Sequence, residues 1–367
     1  MNVKCSRTAL FEAVQLASSI VPVRTPKPIL QCAKIVADEK NSQLTVETSD
    51  NEVTVKHVIT QVQIAAAGAA VVPADRIAAI LRESQDETIQ LEVEDAACEV
   101  IGGDSRFRIY GHDPDDFPVV NAPKGDSGIS IKADVLKSMI HRVSFAASRE
   151  SSRYALNGVL WEQNGKKLRM VATDGRRLAQ VDGDLAKVEK DMEQTAIVPI
   201  KVMTLLERVV TDPDEKIEVG FSGNQVLVRT ASAEITGTLI QGRFPKYQDV
   251  VPSGCDKSVD FQVEAIQSAV RRAALLTNEQ SRGVALAFST GKLQLTSSTP
   301  EMGEAQINMS IDYDDGEAEI GFNPQYILEM LRVVDAEQIH FEFSDGKKPG
   351  LIRAGKDFLY VVMPVTV

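Results

Sequence analysis

The sequence predicts an α+β fold in which one unit, two helices packed on antiparallel sheets, occurs three times. Three features indicate it. A helix with an apolar stripe opens each copy at a constant spacing, a second helix follows beside a proline, and short alternating strands fill the remainder. Self-similarity of this kind marks one supersecondary unit used repeatedly, here at domain length. Helices that are apolar on one side cover one face of a sheet, as in the α+β class.

The first helix of each copy is predicted over residues 9–20, 135–143 and 265–276. Apolar residues recur there with the i, i+3, i+4 spacing of a helix that lies on a sheet. Three sets of positions keep one register, in which the second copy lies 126 residues and the third 256 residues after the first. The sets are Leu10, Leu136 and Ile266; Val14, Ile140 and Val270; and, beyond a loop, Leu30, Leu156 and Leu286.

The second helix of each copy is predicted over residues 75–82, 201–208 and 324–331. The first two follow Pro73 and Pro199, whereas the third has Pro324 at its first position and Asn323 as its N-cap. Strands are predicted where apolar and polar residues alternate between turn residues. They cover residues 43–48, 105–109, 167–171, 217–219, 225–230, 293–297 and 339–343.

Residues 171–181 predict a hairpin around Asp174-Gly175, because an Asp-Gly pair readily adopts the positive φ angles of a two-residue turn. Arg176 and Arg177 follow the turn, and Leu178 leads into the second strand. Two interpretations stay open from the local pattern. Either both arginines are ordinary solvated side chains, or the hairpin borders an apolar depression that holds a ligand.

Length, charge and cysteine usage narrow the class of protein. A chain of 367 residues suits two or three domains, and polar, turn-rich segments near residues 121–125 and 252–254 predict domains at 1–124, 125–252 and 253–367. The net charge of −12 argues against general adhesion to nucleic acid or anionic membranes, without excluding a local basic face. The sequence has no apolar signal-peptide core and no apolar run long enough to span a membrane. Its four cysteines are scattered, so we expect a cytoplasmic protein with reduced thiols.

The sequence carries no constellation of reactive groups typical of an enzyme. Its four histidines lie in unrelated contexts, and no nucleophile elbow, metalloprotease helix, phosphate loop or dinucleotide fingerprint occurs. The acidic runs at 113–116 and 312–316 lack the alternating ligands of a calcium loop and are typical of surface turns. We therefore expect no catalytic site, no metal and no cofactor.

Five motifs occur in order along the triplicated chain. They are Asn-Gly-Val-Leu at 157–160, Ala-Thr-Asp-Gly-Arg-Arg-Leu-Ala at 172–179, Gly-Arg-Phe-Pro-Lys-Tyr at 242–247, Thr-Asn-Glu-Gln-Ser-Arg-Gly-Val at 277–284 and Tyr-Val-Val-Met-Pro at 360–364. With them the chain resembles, over its whole length, the bacterial DNA polymerase III beta subunit family, the sliding clamps. In that family two copies pair head to tail into a closed ring of six domains, with helices lining the hole. The resemblance implies half of such a ring, acting as a processivity factor in DNA replication without its own catalytic site.

The resemblance further implies sequence-independent contact with double-stranded DNA. A ring that slides should touch phosphates only, because contacts with base edges would stall it at particular sequences. Retention is expected mainly from topology, with a weak, salt-sensitive attraction to basic residues on inward helices and loops. The basic candidates are Arg7, Arg24, Arg76, Arg82, Lys137, Arg142, Lys201, Arg208, Arg271 and Arg272, and the resemblance adds Tyr154 on a loop that touches DNA.

A partner-binding pocket is implied where the second and third domains meet. In the family it accepts short peptides with a Gln and an apolar Leu-Phe end, carried by the replicative polymerase subunit, the clamp loader and other partners. An apolar floor with few polar rim groups suits a linear peptide, and Met adapts to varied ligands. Taken alone, Leu178 and Val362 would fit core strand positions equally well. The pocket positions carried over by motif are Leu156, Thr173, Gly175, Arg176, Arg177, Leu178, Pro245, Val250, Val362, Met363 and Pro364.

The resemblance also places the homodimer interface between the first and third domains of two copies. Phe107 and Ile109 alternate on the strand at 105–109 and would face Leu275 and Leu276 of the other copy. Such alternation suits an edge strand that extends a neighbouring sheet. Asp249 and the tail at 365–367 depart from the family pattern and bear on which peptides bind best. Two other functions stay open, namely a three-domain interaction scaffold that does not bind DNA and an enzyme with an unrecognised site.

Overall fold

The computed structural model describes the chain apart from residues 23, 95, 119–127, 151–154, 190–191, 193–194, 279–282 and 367. Within the described part lie six α-helices, and each overlaps a helix predicted from apolar spacing. They are α1 (Arg7–Ser18), α2 (Ala74–Glu83), α3 (Ala133–Val143), α4 (Ile200–Val209), α5 (Val263–Ala273) and α6 (Pro324–Leu331). The helix predicted at 265–276 ends earlier, because its last turn tightens into a 3₁₀ helix at Ala274–Leu276.

Side chains at the helix starts explain two of these boundaries. The Ser6 hydroxyl accepts a hydrogen bond from the Ala9 amide at the start of α1. Asn323 is confirmed as the N-cap of α6, since its side-chain oxygen accepts from the Gln325 amide at 2.9 Å. The repeated apolar positions face the cores as predicted: all are buried except Leu156, which is only half-buried.

The described residues contain twenty-five β-strands, and every predicted strand is confirmed. The strands are β1 (Asn2–Ser6), β2 (Cys32–Asp38), β3 (Gln43–Ser49), β4 (Val53–Ile59), β5 (Val62–Ala66), β6 (Gly68–Pro73), β7 (Thr88–Glu94), β8 (Ala97–Ile101), β9 (Arg106–Tyr110), β10 (Ile129–Lys132), β11 (Gly158–Asn164), β12 (Lys167–Thr173), β13 (Arg177–Val188), β14 (Ala196–Pro199), β15 (Lys216–Ser222), β16 (Gln225–Arg229), β17 (Ala233–Thr238), β18 (Lys257–Gln262), β19 (Val284–Ser289), β20 (Lys292–Thr299), β21 (Gly303–Ser310), β22 (Ala318–Phe322), β23 (Gln338–Phe343), β24 (Gly350–Ala354) and β25 (Phe358–Val362).

Contacts between residues divide the chain into two compact units. Unit 1 comprises Met1–Asp134, Ala186–Met192 and Lys201–Leu239. Unit 2 comprises Val135–Leu185, Glu193–Ile200 and Ile240–Val367. The second predicted copy therefore contributes strands to both units. The domain limits at 1–124, 125–252 and 253–367 stay a prediction.

Unit 1 contains two antiparallel sheets. One has the order β5-β1-β7-β8-β9, with β9 as its last strand. In the other, β10, β15, β16 and β17 of the second copy continue into β4, β3, β2 and β6 of the first. The step between copies is the pairing of β17 with β4, in which Ile235 lies opposite Val55. Helices α1 and α2 pack together, and α1 contacts β3 and β4.

Unit 2 is organised around β13. On one side β13 pairs with β25, which continues through β24 and β23 to β18. On the other side it pairs with β12, which continues through β11 to β14. A separate four-stranded sheet has the order β21-β20-β19-β22, and α5 packs against α6. The turn between β12 and β13 therefore lies beside the C-terminal strand.

Candidate functional site

The turn between β12 and β13 differs from the predicted two-residue hairpin. Thr173 pairs with Leu178, so four residues form the connection, and only Gly175 has a positive φ, at 86°. The Asp174 carboxylate explains the longer turn, because it accepts hydrogen bonds from the Arg176 amide at 2.9 Å and the Arg177 amide at 3.1 Å. The Thr173 hydroxyl donates to the Arg177 carbonyl at 2.6 Å. The turn is thus held by its own side chains.

The two arginines of this turn occupy different environments. Arg176 is exposed, whereas the Arg177 side chain is only 8% exposed. The Arg177 guanidinium contacts the Asp174 carboxylate at 3.2 Å, donates to the Phe145 carbonyl at 2.8 Å and pairs with Glu329. It also lies over the Tyr326 ring, 4.6 Å from the centroid. The account of both arginines as solvated side chains is therefore wrong for Arg177.

An apolar cluster covers one face of the sheet beside this turn. Its buried members are Leu160, Val171, Leu178, Ile197, Ile240, Phe244, Tyr247, Leu351 and Val361, with Ala155, Leu156, Val251 and Leu359 partly buried against them. Pro245 and Val250, from the segment that supplies Phe244 and Tyr247, are exposed. Tyr247 is fixed by its hydroxyl, which donates to the Glu162 carboxylate at 2.6 Å. The cluster thus has a buried floor and an exposed apolar border.

The C-terminal strand supplies one wall of this face. The Met363 amide donates to the Arg176 carbonyl at 2.9 Å, which ties the end of β25 to the turn. Met363 is 40% exposed and Val250 is 47% exposed. Exposed apolar side chains beside a buried apolar floor are able to bind an extended peptide through its side chains.

The structure corrects the pocket assignments of Arg177 and Val362, because both lie on the other side of the sheet from Leu178. Across β13 and β25, Leu178 lies opposite Val361, and Arg177 lies opposite Val362. Opposite residues share a face and successive residues alternate, so Val362 faces the side of Arg177, where it is fully buried. Val361 takes its place beside Leu178. The strand's alternation, together with the inclusion of Leu178, would have identified Val361 from the sequence.

Seven of the basic candidates have exposed side chains: Arg24, Arg76, Arg82, Lys137, Arg208, Arg271 and Arg272. Tyr154 lies outside the described residues. Three other candidates are bound within the protein and are corrected. Arg142 pairs with Asp357 at 2.6 Å, Lys201 pairs with Asp50, and Arg7 donates to the carbonyls of Asp86 at 2.9 Å and Leu81 at 3.1 Å.

Of the interface candidates, Phe107 is 43% and Leu275 is 68% exposed, whereas Leu276 is partly buried. Ile109 is only 9% exposed and belongs to the core of unit 1, so its assignment as an interface residue is corrected. Tyr110, which the sequence reasoning missed, is 76% exposed at the end of the same strand. Strands β9 and β21 each end a sheet of the described structure, β9 in unit 1 and β21 in unit 2.

Signs of a metal site, a membrane span or a reactive thiol are missing from the described residues. Within them no three His, Cys, Asp or Glu side chains are grouped so as to hold a metal ion. No described helix has the length and apolarity to span a membrane. All four cysteines are free, and burial raises the pKa of Cys98 to about 12 and that of Cys5 to about 11, so both thiols stay protonated at neutral pH.

Comparison with known proteins decides the family. Models of the N-terminal, central and C-terminal domains of the DNA polymerase III beta subunit match residues 1–121, 130–246 and 248–366. The beta sliding clamp of Pseudomonas aeruginosa is 34% identical over 368 residues, covering 100% of both chains. The chain belongs to the DNA polymerase III beta subunit family. Three clamp domains in order along one chain confirm the predicted triplicated fold.

Further relatives extend the likeness across bacteria. The Escherichia coli K12 beta sliding clamp is 30% identical over 370 residues, covering 100% of both chains. A crystal structure of the P. aeruginosa beta subunit has a TM-score of 0.93 at 34% identity, covering 100% of both chains. A Bacillus subtilis sliding clamp has a TM-score of 0.94 at 26% identity, covering 100% of this chain and 99% of that one. The function of the chain is that of a DNA sliding clamp, and the DNA-free scaffold is not favoured.

Proposed function

We propose that two copies of this chain form a closed ring around duplex DNA and tether the replicative polymerase to it. The observation that carries this proposal is the match of three clamp domains, in order, over the whole chain. The ring performs no chemistry of its own and needs no cofactor. A protein that serves chromosome replication in bacteria works in the cytoplasm, which is where we place it.

Exposed basic residues would supply the contact with DNA. The seven exposed candidates, Arg24, Arg76, Arg82, Lys137, Arg208, Arg271 and Arg272, would approach phosphates and read no sequence. Their positive charge is confined to these positions, since the chain as a whole carries a net charge of −12. A weak attraction of this kind allows sliding, while enclosure by the ring prevents release.

The two copies would join through edge strands. Strand β9 carries the exposed Phe107 and Tyr110, and Leu275 is exposed in the 3₁₀ helix that follows α5 and contacts β21 in the other unit. An unpaired edge offers backbone donors and acceptors that a second edge is able to satisfy. We propose that β9 of one copy meets β21 of the other, with Phe107, Leu275 and Leu276 covered at the contact.

The partner peptide would bind on the apolar face beside the β12–β13 turn. Leu178 and Val361 would form its floor, with Leu156, Val250 and Met363 around them and Thr173, Gly175 and Arg176 at the rim. Pro245 and Pro364 would border the site. Polymerase, clamp loader and other partners would compete for it through short segments with a Gln and an apolar Leu-Phe end.

Met363→Asp tests this site, because a carboxylate on the exposed wall would be desolvated by the peptide's apolar end. We expect titration of a Gln-x-x-Leu-Phe peptide by calorimetry to show affinity at least about tenfold weaker, the cost of removing an anchor contact. Met302→Asp is the matched control, since Met302 is 47% exposed in the same unit and lies outside the apolar cluster. Equal affinity of the Met363→Asp variant and the unsubstituted protein would refute the assignment.

A further inference from the structure

Helix α6 touches the β12–β13 turn with two side chains. Tyr326 and Glu329 are three residues apart and therefore share one face of the helix. The Glu329 carboxylate pairs with the Arg177 guanidinium, and the Tyr326 ring stacks on it at 4.6 Å. A hydrogen bond with the Tyr326 side chain is also the main cause of the raised pKa of Arg176. The Arg177 guanidinium is therefore held by two side chains of α6.

The Arg177 guanidinium depends on these contacts because it is nearly enclosed. Its side chain is 8% exposed, that of Asp174 is 17% exposed and that of Glu329 is 36% exposed. Asp174 belongs to the turn itself, so Glu329 is the carboxylate that links the turn to a different element. A charged group taken out of water needs its partner, and removing one member of such a pair leaves the other uncompensated.

The position of the turn determines the position of the exposed wall. The Arg176 carbonyl accepts the Met363 amide, and the Val365 amide in turn donates to the Gly321 carbonyl at 2.8 Å. Met363 is thus held on one side by the turn and on the other by the strand that precedes α6. The face of Leu178 lies on the other side of the sheet from Arg177. The ion pair with Arg177 therefore connects Glu329 to the turn that borders the apolar face.

We propose that Glu329 is a positioning residue for the partner-peptide site. Through the Arg177 guanidinium it holds the turn, and through the Arg176 carbonyl the turn holds Met363 against the apolar floor. The proposal rests on the proposed function of that face as the peptide site. Glu329 makes no contact with the peptide, and its contribution is to keep the wall at the distance from Leu178 that the peptide's apolar end requires.

The test is a titration of the full-length protein with the Gln-x-x-Leu-Phe peptide, well below the melting temperature of every variant. Glu329→Gln should weaken binding about tenfold, within the range for residues coupled in one ion-pair network. Glu337→Gln, which alters an exposed glutamate after α6, should bind as the unsubstituted protein does. In an Arg177→Met background, Glu329→Gln should cost nothing further. If Arg177→Met does not fold, Arg177→Gln serves, because it removes the charge that pairs with Glu329 and keeps an amide donor for the Phe145 carbonyl.

Two results would overturn the inference while leaving the peptide site intact. One is unchanged affinity of Glu329→Gln alongside loss of binding in Met363→Asp. The other is an equal loss from Glu329→Gln with and without Arg177, since Glu329 would then act by another route. Failure of the unsubstituted protein to bind the peptide would instead refute the proposed function of the face. A general loss of stability in Glu329→Gln would lower its melting temperature. It would not make the effect of Glu329→Gln on affinity depend on the presence of Arg177.

Discussion

Residues of one chemical type have opposite roles here, depending on their partners. Arg82 and Arg142 both lie in the last turn of a helix, α2 and α3 respectively. Arg82 is exposed, whereas the Arg142 side chain is 13% exposed, pairs with both Asp357 oxygens at 2.6 and 3.3 Å and lies over the Phe358 ring at 4.9 Å. Arg82 is therefore open to solvent, whereas Arg142 is a structural contact within unit 2.

Substituting these two arginines should separate DNA attraction from stability. For Arg82→Gln we expect the salt dependence of DNA binding to weaken, with the slope of log K against log salt falling by about 0.9 for each phosphate that the variant no longer neutralises. For Arg142→Gln we expect the slope to be unchanged and stability to fall by about 1–2 kcal/mol, between the values for exposed and buried ion pairs. DNA titrations at several salt concentrations and thermal melts would check both. The reverse assignment of effects would show that the exposure of these side chains does not predict their roles.

The sequence showed which positions carry basic side chains, but it did not show which acidic or carbonyl groups those side chains contact. Sequence reasoning included Arg142, Lys201 and Arg7 as DNA-facing because the resemblance places basic residues of the helices toward the hole. Their partners are distant in sequence, as with Arg142 and Asp357, which are 215 residues apart, and no local pattern reveals such a pair. It also placed Val362 one position too far along β25. In an extended strand a shift of one residue moves a side chain to the other face.

At the scale of elements, local signals predicted all six helices and the seven strands named from sequence. Apolar spacing succeeded there because the same stripe that marks a helix also packs it against a sheet. The β12–β13 turn was predicted in the right place with the wrong length. The Asp-Gly pair favours a two-residue turn, but the Asp174 carboxylate and the Thr173 hydroxyl stabilise four residues instead.

A ladder of alternating charges crosses the large sheet of unit 1. Directly opposite residues on six neighbouring strands are, in order, Lys34, Glu47, Lys56, Glu234, Arg229 and Glu218. The central pair, Lys56 and Glu234, lies where β4 of the first copy meets β17 of the second. Opposite charges on directly opposed residues stabilise strand pairing. We therefore expect the ladder to strengthen the joint between the two copies.

A double-mutant cycle tests this ladder. We expect Lys56→Ala and Glu234→Ala to show a coupling of about 0.2–1 kcal/mol in the free energy of unfolding, the usual size for cross-strand pairs. The coupling should shrink at 1 M salt, where charges of exposed pairs are screened. The uncharged pair Thr54 and Thr236, opposite each other on the same strands, provides a control with no salt-dependent coupling. Additive effects of the two charged substitutions at low salt would contradict the ladder's role.

For the whole molecule, the sequence predicted the triplicated α+β fold and the family, because register and motifs extend over the full length. The limits of the domains were harder to place, since strands of the second copy complete sheets in both compact units. Alternation on β9 predicted one role for Phe107 and Ile109, but Phe107 is exposed whereas Ile109 belongs to the core of unit 1. The place of Phe107 at a subunit interface stays a prediction.

Enclosure of DNA by two copies is the central claim, and retention on circular DNA tests it most directly. The protein would be assembled on nicked circular DNA with its clamp loader and ATP, then separated by gel filtration in 1 M salt, where electrostatic attraction to phosphates is lost. We expect the unsubstituted protein to stay with the circular DNA and to be released when a nuclease linearises that DNA. The double variant Leu275→Asp with Leu276→Asp should not be retained, because the two copies would no longer close into a ring. Equal loss from circular and linear DNA would contradict the ring.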